Sequence, residues 1–334
     1  MANSIENAAI YQNIIDEELI AGTVGDILLD DELTTQIIDS FFDMMEEPPA
    51  EDIEYNGGAT VKIADIEVSG LGDYDPNSTS GAYPSGTVKT KWNDYNFAQD
   101  RGIEFALDRM TPGDSRYIAT ASNVVREFAR GPLVREQDSY RFNRVYAAIN
   151  ADTALKGTHI VAKDITAANI LSELNALKSI VEDDSEKAME LVCVGALNLK
   201  NLVPETSSTN RHRVYFNERV SINGVTYDDV TIIDDLPILW VPKTRLQTVI
   251  KINDGKTSGQ TDGGIVADTT SQQIHFIICG IEAVKALGKV DALKEFGPDI
   301  NQRFDGTAIQ ARYVYDAWVM KRKVNTIGVI TAAS

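Results

Sequence analysis

An α+β fold follows from three features of this sequence. Residues 100 to 110, "DRGIEFALDRM", alternate apolar Ile103, Phe105 and Leu107 with Glu104, Ala106 and Asp108, the two-residue period of a strand with one buried face. Residues 115 to 153 change to helical spacing, with Ile118, Ala121, Val125 and Phe128 on one side. From about residue 164 another helical stretch leads into short apolar runs of strand type, and the chain closes on a long strand-like segment. Helices and strands come in blocks rather than in strict alternation, which is the α+β pattern.

The elements follow in order. Ile10, Ile14, Leu19 and Ile20, then Ile27, Leu28, Leu33, Ile37, Ile38, Phe41 and Phe42, recur at helical spacing against Asp and Glu and predict an amphipathic N-terminal arm. "MMEEPPAED" (44–52) ends it at Pro48 and Pro49. "TVKIADIEVSGL" and "RGIEFALDR" are predicted strands, separated by the Gly-, Ser-, Pro- and Asp-rich excursion "GDYDPNSTSGAYPSGTVKTKWNDYN"; connections of that length are functional or mobile rather than simple turns. Asp114 is a predicted N-cap for the helix that follows. A break is expected at Gly131-Pro132, after which helical spacing resumes with Arg126, Arg130, Arg135, Arg141 and Arg144 on the exposed sides.

Ile170, Leu171, Leu174, Leu177 and Val181 form the inward stripe of the next helix, and "MELVCVG" reads as a buried strand. Asn223-Gly224 between apolar runs signals a hairpin. "LPILWVP" and "LQTVIKI" are expected strands, 253 to 273 a long exposed loop, and 309 to 330 one long closing strand.

Charge is distributed unevenly along the 334 residues. The net charge is −19, and the first basic residue is Lys62. Residues 1 to 61 carry 15 acidic side chains, leaving 31 basic against 35 acidic in the remainder. An acidic arm thus joins a nearly neutral body; it avoids DNA and anionic lipid and seeks water or a basic partner. The apolar runs fall short of the ~20 residues of a membrane helix, and "MANSIENAAI" lacks the basic start and apolar core of a secretory signal. Cys193 and Cys279 sit in apolar runs and read as buried reduced thiols.

Chemical motifs are weak. Asp73, Asp75 and Asn77 begin like a calcium loop, but Ser78 and Pro84 stand where glycine and a bidentate glutamate belong. "DGKTSG" imitates the end of a phosphate loop, yet Ile250 occupies the leading glycine position. His159, His212 and His275 share no metal-ligand spacing. A hydrolase using Cys193 or Cys279 with one of these histidines, or His275 in a cleft, is the rival reading from a different class; burial in apolar runs argues against it by raising the thiol pKa. "RHR" (211–213) and "KRK" (321–323) read as solvated faces. No enzyme activity, cofactor or metal is implied.

"VSGLGDYD", "DRGIEFALD", "VVREFARGPLVREQDSYRF" and "RYVYDAWVMKRKVNTIGVI", in this order after an acidic arm, resemble the major capsid proteins of tailed double-stranded-DNA phages. The fold so implied is the Hong Kong 97-like one, shared with encapsulin nanocompartments, which are the runner-up. The resemblance implies an N-terminal arm at 1–58, an extended loop at 59–110 lying over a neighbouring subunit, and a peripheral domain with a spine helix at 111–160. An axial domain at 161–290 and a return to the peripheral domain at 291–334 complete the division.

It further implies a chain that assembles with itself into hexamers and pentamers of an icosahedral head. The partners would be a separate scaffolding protein, a portal protein, cement proteins, and packaged DNA touched without sequence reading; no membrane is involved. The place would be the virion, with assembly in the host cytoplasm. The chain reaches the loop region within about 60 residues, so no full scaffold domain is expected in it. Arg101, Asp108 and Arg109, with Arg126 and Arg130, are expected to pair across subunits or to anchor the base of the loop, because weak exposed ion pairs fix register during correctable assembly. Some relatives carry Lys–Asn crosslinks; Lys89, Lys91 and Asn325 are present, but non-covalent assembly is the expectation.

Overall fold

The computed structural model describes residues 53–55, 60–70, 72–74, 83–110, 121–185, 190–204, 213–222, 225–281 and 283–333. The predicted arm with its Pro48-Pro49 stop, the Asp114 cap, Ile118, most of the calcium-like loop, His212 and the Asn223-Gly224 turn lie outside them.

Helices α1 (Ala121–Phe128) and α2 (Val134–Ala151) are joined by a π-helical segment, Ala129–Leu133. The break expected at Gly131-Pro132 is therefore a widened turn in a continuous helical element of about 46 Å at 1.5 Å per residue. Proline has no N–H to donate and its ring crowds the carbonyl four residues back; the wider i→i+5 turn accommodates both. A short α3 (Lys156–His159) follows, and then α4 (Ile170–Asp184).

The fifteen strands among the described residues form four sheets. β1 (Ile53–Tyr55), β2 (Thr60–Val68) and β3 (Val88–Asn96) make one sheet in that order. β4 (Gln99–Asp108), β13 (Val284–Phe296) and β14 (Gly306–Val319) make a second, in the order β13-β14-β4. A seven-stranded sheet is built from β5 (Ile160–Ala162), β6 (Leu191–Ala196), β7 (Val214–Ile222), β8 (Val225–Ile233), β9 (Leu236–Val241), β12 (Ile274–Gly280) and β15 (Ile327–Thr331). Its order is β5-β15-β12-β6-β9-β8-β7, with parallel pairing only at β5–β15 and β6–β9. β10 (Ile250–Ile252) and β11 (Ile265–Ala267) form a small hairpin.

Three sequence expectations change. The two predicted strands of the extended region are not partners: β2 pairs with β3, which lies inside the supposed excursion, and β4 pairs with β14. The exposed loop at 253 to 273 contains β11, and "LQTVIKI" is strand only at its end. The closing segment is two strands in two sheets, because Lys321–Thr326 forms a 3-10 turn where Lys321, Arg322 and Lys323 interrupt the apolar pattern and Asn325 Nδ2 donates to the Asp184 carbonyl (2.7 Å). The division set at 290/291 falls inside β13.

Two buried clusters meet along one helix. Phe142, Val145 and Ile149 of α2 join the large core, where Ile170, Leu171, Leu174, Leu177 and Val181 of α4 cover the seven-stranded sheet as their spacing predicts. Val125, Ala129, Leu133 and Tyr140 pack instead on Ile309, Ala311, Tyr313 and Tyr315 of β14. Cys193 and Cys279 are free and buried on neighbouring strands β6 and β12. Burial pushes both thiols up, Cys279 to about 12.

Gly328 lets α4 approach the sheet closely: a Cβ there would lie 2.8 Å from both Leu177 Cδ1 and Val181 Cγ2. Gly328→Val is expected to lower unfolding free energy by about 1–3 kcal/mol, measured by urea denaturation. The native chain should leave a thiol reagent unreacted until unfolding exposes both cysteines, which stopped-flow absorbance records.

Candidate assembly surfaces

The β2–β3 hairpin is the described element with the least core. No residue of β3 is buried, and Val88, Thr90 and Trp92 on one face and Lys89 and Lys91 on the other are all exposed. Val68 and Val88 are each 69% exposed, and Trp92 is 45% exposed. Beyond them Tyr74 and Tyr83 meet edge to face, with centroids 4.9 Å apart, yet Tyr83 is 82% exposed. A few strands without a packed face are marginal in water.

The base of the hairpin is held on the body. Val61 is fully buried and pairs in register with Tyr95. Tyr95 and Phe97 lie against buried Trp318, with centroids 5.6 and 5.5 Å away. Below them the Asp316 carboxylate, fully buried, accepts from the Ala98 amide (2.9 Å), the Tyr140 hydroxyl (2.9 Å) and the Ala317 amide (2.7 Å), and faces Arg144 at 3.4 Å. Burial, then the neighbouring Asp316 charge, pushes the Tyr140 hydroxyl up to about 12, so it stays a donor. A buried carboxylate needs such donors to offset its desolvation. One residue of β14 thus ties α2 to the point where β3 gives way to β4.

The charged pairs of 100–109 resolve by strand geometry, since neighbours on β4 point to opposite faces. Arg101 turns toward the helix: its guanidinium donates to Glu136 Oε1 (2.7 Å) and Oε2 (3.3 Å) of α2 and to the Asn253 carbonyl (2.9 Å). Glu136 also accepts from the Tyr315 hydroxyl at 2.8 Å, whose pKa rises through burial first and the Glu136 charge second. Asp100 turns outward and is paired with Arg312 of β14 at 2.8 and 2.7 Å, which lowers its pKa. Glu104 meets Arg303 at 3.1 Å and Gln310 directly across the strands.

Asp108 accepts from the Met110 amide (2.9 Å). Arg109 faces Asp305 at 3.8 Å with both side chains about two-thirds exposed or more. Arg126 and Arg130 are exposed on α1 and the π segment, apart from the other three in sequence and element. The outer ladder contributes ~0–1 kcal/mol per pair, whereas the shielded two-pronged Arg101–Glu136 contact belongs to the stronger, charge-assisted class.

Sequence reasoning missed Glu136, Tyr140, Asp316 and Trp318. An acid inside the apolar run "VYDAWV" is a signal for a satisfied buried carboxylate, although its partners are 176 and 218 residues away. Neither cysteine nor His275 lines the open cleft of about 500 Å³ beside α3. His275 and Cys279 are four positions apart on β12, roughly 13 Å along a strand, so these two do not form a nucleophile–base pair.

These elements, in this order, define a known architecture. The chain is similar to the capsid structure of cyanophage P-SCSP1u, with 14% identity, 84% of this chain and 85% of that one covered, and a TM-score of 0.59. It is similar to a chain of the mature capsid of bacteriophage PhiM1 (11% identity, 86% and 90% covered, TM-score 0.51) and to the capsid of Ralstonia phage GP4 (10% identity, 84% and 84%, TM-score 0.50). The chain has a phage capsid fold. No known family model matches the sequence, and no curated protein does.

Asp316→Ala is expected to cost roughly 2–4 kcal/mol by leaving buried donors without their acceptor, with faster amide exchange concentrated at residues 95 to 98. A pH effect comes from Lys285, buried on β13 and in register with Trp318. Burial first and Lys323 second pull its ammonium down to about 7. From there up to about 10.4 the unfolded chain holds a proton that the folded chain releases, so this group makes stability rise with pH across that window. Lys285→Met should flatten the rise, read from urea midpoints at successive pH values.

Proposed function

We propose that this chain is the major capsid protein of a tailed double-stranded-DNA phage, assembling with copies of itself into hexamers and pentamers of an icosahedral head. The observation that carries the reading is the β2–β3 hairpin: a long two-stranded element held at its base, with β3 exposed from Val88 to Trp92, on a fold similar to phage capsid structures.

In this reading 59–110 is the extended loop that lies over a neighbouring copy. The helical element from α1 through α2 is the spine of a peripheral domain at 111–160, the seven-stranded sheet apart from β15 is the body of an axial domain at 161–290, and 291–334 returns to the peripheral side through β14 before β15 closes on that sheet, with 1–58 as the arm. Arg101 holds the base of the loop within the chain, while Asp108 caps the far end of β4 by accepting from the Met110 amide. Arg109, Arg126 and Arg130, being exposed, make register-fixing contacts between copies. Many weak contacts closed into a lattice give a stable shell while each remains correctable. A separate scaffolding protein, a portal and cement proteins are the expected partners, and DNA is contained without sequence-specific contact. Assembly takes place in the host cytoplasm and the product resides in the virion.

Expression of the full chain, alone and with its scaffold, followed by electron microscopy, tests this. Uniform hollow shells tens of nanometres across support it; a monomer or dimer under all conditions contradicts it. Trp92→Asp on the exposed hairpin should abolish shells while leaving the unfolding midpoint of the isolated chain unchanged.

A further inference from the structure

The cleft beside α3 is not used by anything above. Its floor is Ile160 and Ala162 of β5 and Thr331 of β15, its wall is Tyr146 and Asn150 of α2, and Lys156 stands exposed at the rim. The volume of about 500 Å³ lies within the ~300–1,000 Å³ of sites that hold a ligand or anchoring side chains.

We propose that this cleft is a docking groove for the chain's own N-terminal segment, residues 10 to 42, donated by the same or another copy.

Three observations converge on that occupant. First, β5 ends the seven-stranded sheet and pairs on one side only, with β15, so among the described residues its outer edge is open beside the groove. Open edges and half-covered apolar floors invite a further element. Second, the lining holds one cation, Lys156, and no carboxylate, in a chain with 19 excess negative charges. The Tyr146 hydroxyl is pushed up by burial and stays a neutral donor. Such a lining accepts a carboxylate-bearing, otherwise apolar segment; a nucleic acid would need a row of cations.

Third, residues 10 to 42 have that chemistry: Ile14, Leu19, Ile20, Ile27 and Leu28 recur at helical spacing, with eight carboxylates and no lysine or arginine. Fifty-two residues precede β1. Fully extended they span up to about 170 Å, so reach does not restrict which copy donates the segment. The inference does not depend on a closed shell.

The test uses the full chain with a photoreactive benzophenone residue in place of Gly157, an exposed position where an added Cβ meets nothing within 4 Å. Irradiation followed by peptide mass spectrometry is expected to give crosslinks to residues 1–52. Adding Lys156→Glu should reduce their yield roughly fivefold, the effect of reversing one exposed charge contact. Filling the floor with Ala162→Trp should remove them, with the circular dichroism spectrum unchanged in both variants. Crosslinks confined to residues beyond 52, none from a folded chain, or a yield indifferent to both substitutions would overturn the proposal. Shells that form without arm crosslinks defeat the groove and leave the capsid reading standing; arm crosslinks without shells do the reverse.

Discussion

The pairing of β4 with β14 is the constraint from which the rest of the molecule follows. Ten residues from Gln99 to Asp108 lie in unbroken antiparallel register with Tyr315 to Gly306, joining segments about two hundred positions apart. Its inner face presents the apolar side chains on which α1 and the first half of α2 pack. Its outer face carries the ion-pair ladder. At its β4 end it delivers Phe97 and Ala98 to Trp318 and Asp316, and so sets where the hairpin leaves the body. A one-residue slip would turn Arg101 outward, away from Glu136, and bury Asp100.

Seen from this junction, the charges of "DRGIEFALDR" serve two purposes. Those facing α2 are shielded, satisfied from several directions, and orient the strand against the helix. Those facing out are cross-strand pairs that add little stability but penalise wrong registers. The hairpin above them gains from neither set. Its exposed valines, tyrosines and tryptophan make it the part of the fold with most to gain from a surface supplied by another molecule.

Elements with strong local periodicity were legible in the sequence: β4, the α1 and α4 stripes, buried β6, and the β7–β8 pairing around Asn223-Gly224. β3 was obscured because a Gly-, Ser- and Pro-rich stretch precedes it and its alternation puts no residue into a core. The π segment was hidden because proline signals a break locally, while packing of Ala129 and Leu133 on β14 keeps the helix continuous. The split between β14 and β15 and the Asp316 and Glu136 networks depend on partners 35 to 218 residues distant, which local pattern cannot supply. The resemblance of several diffuse stretches to phage capsid proteins carried the fold further than periodicity alone, since it fixed the order of elements.

The central physical claim is that the hairpin completes its burial only against another copy. Hydrogen exchange of the amides of 63–68 and 88–94, compared between unassembled chain and assembled particles, tests this most directly. Fast exchange before assembly and strong protection afterward, with residues 95–98 protected in both, is the result this account requires. Equal protection in the two states would contradict it.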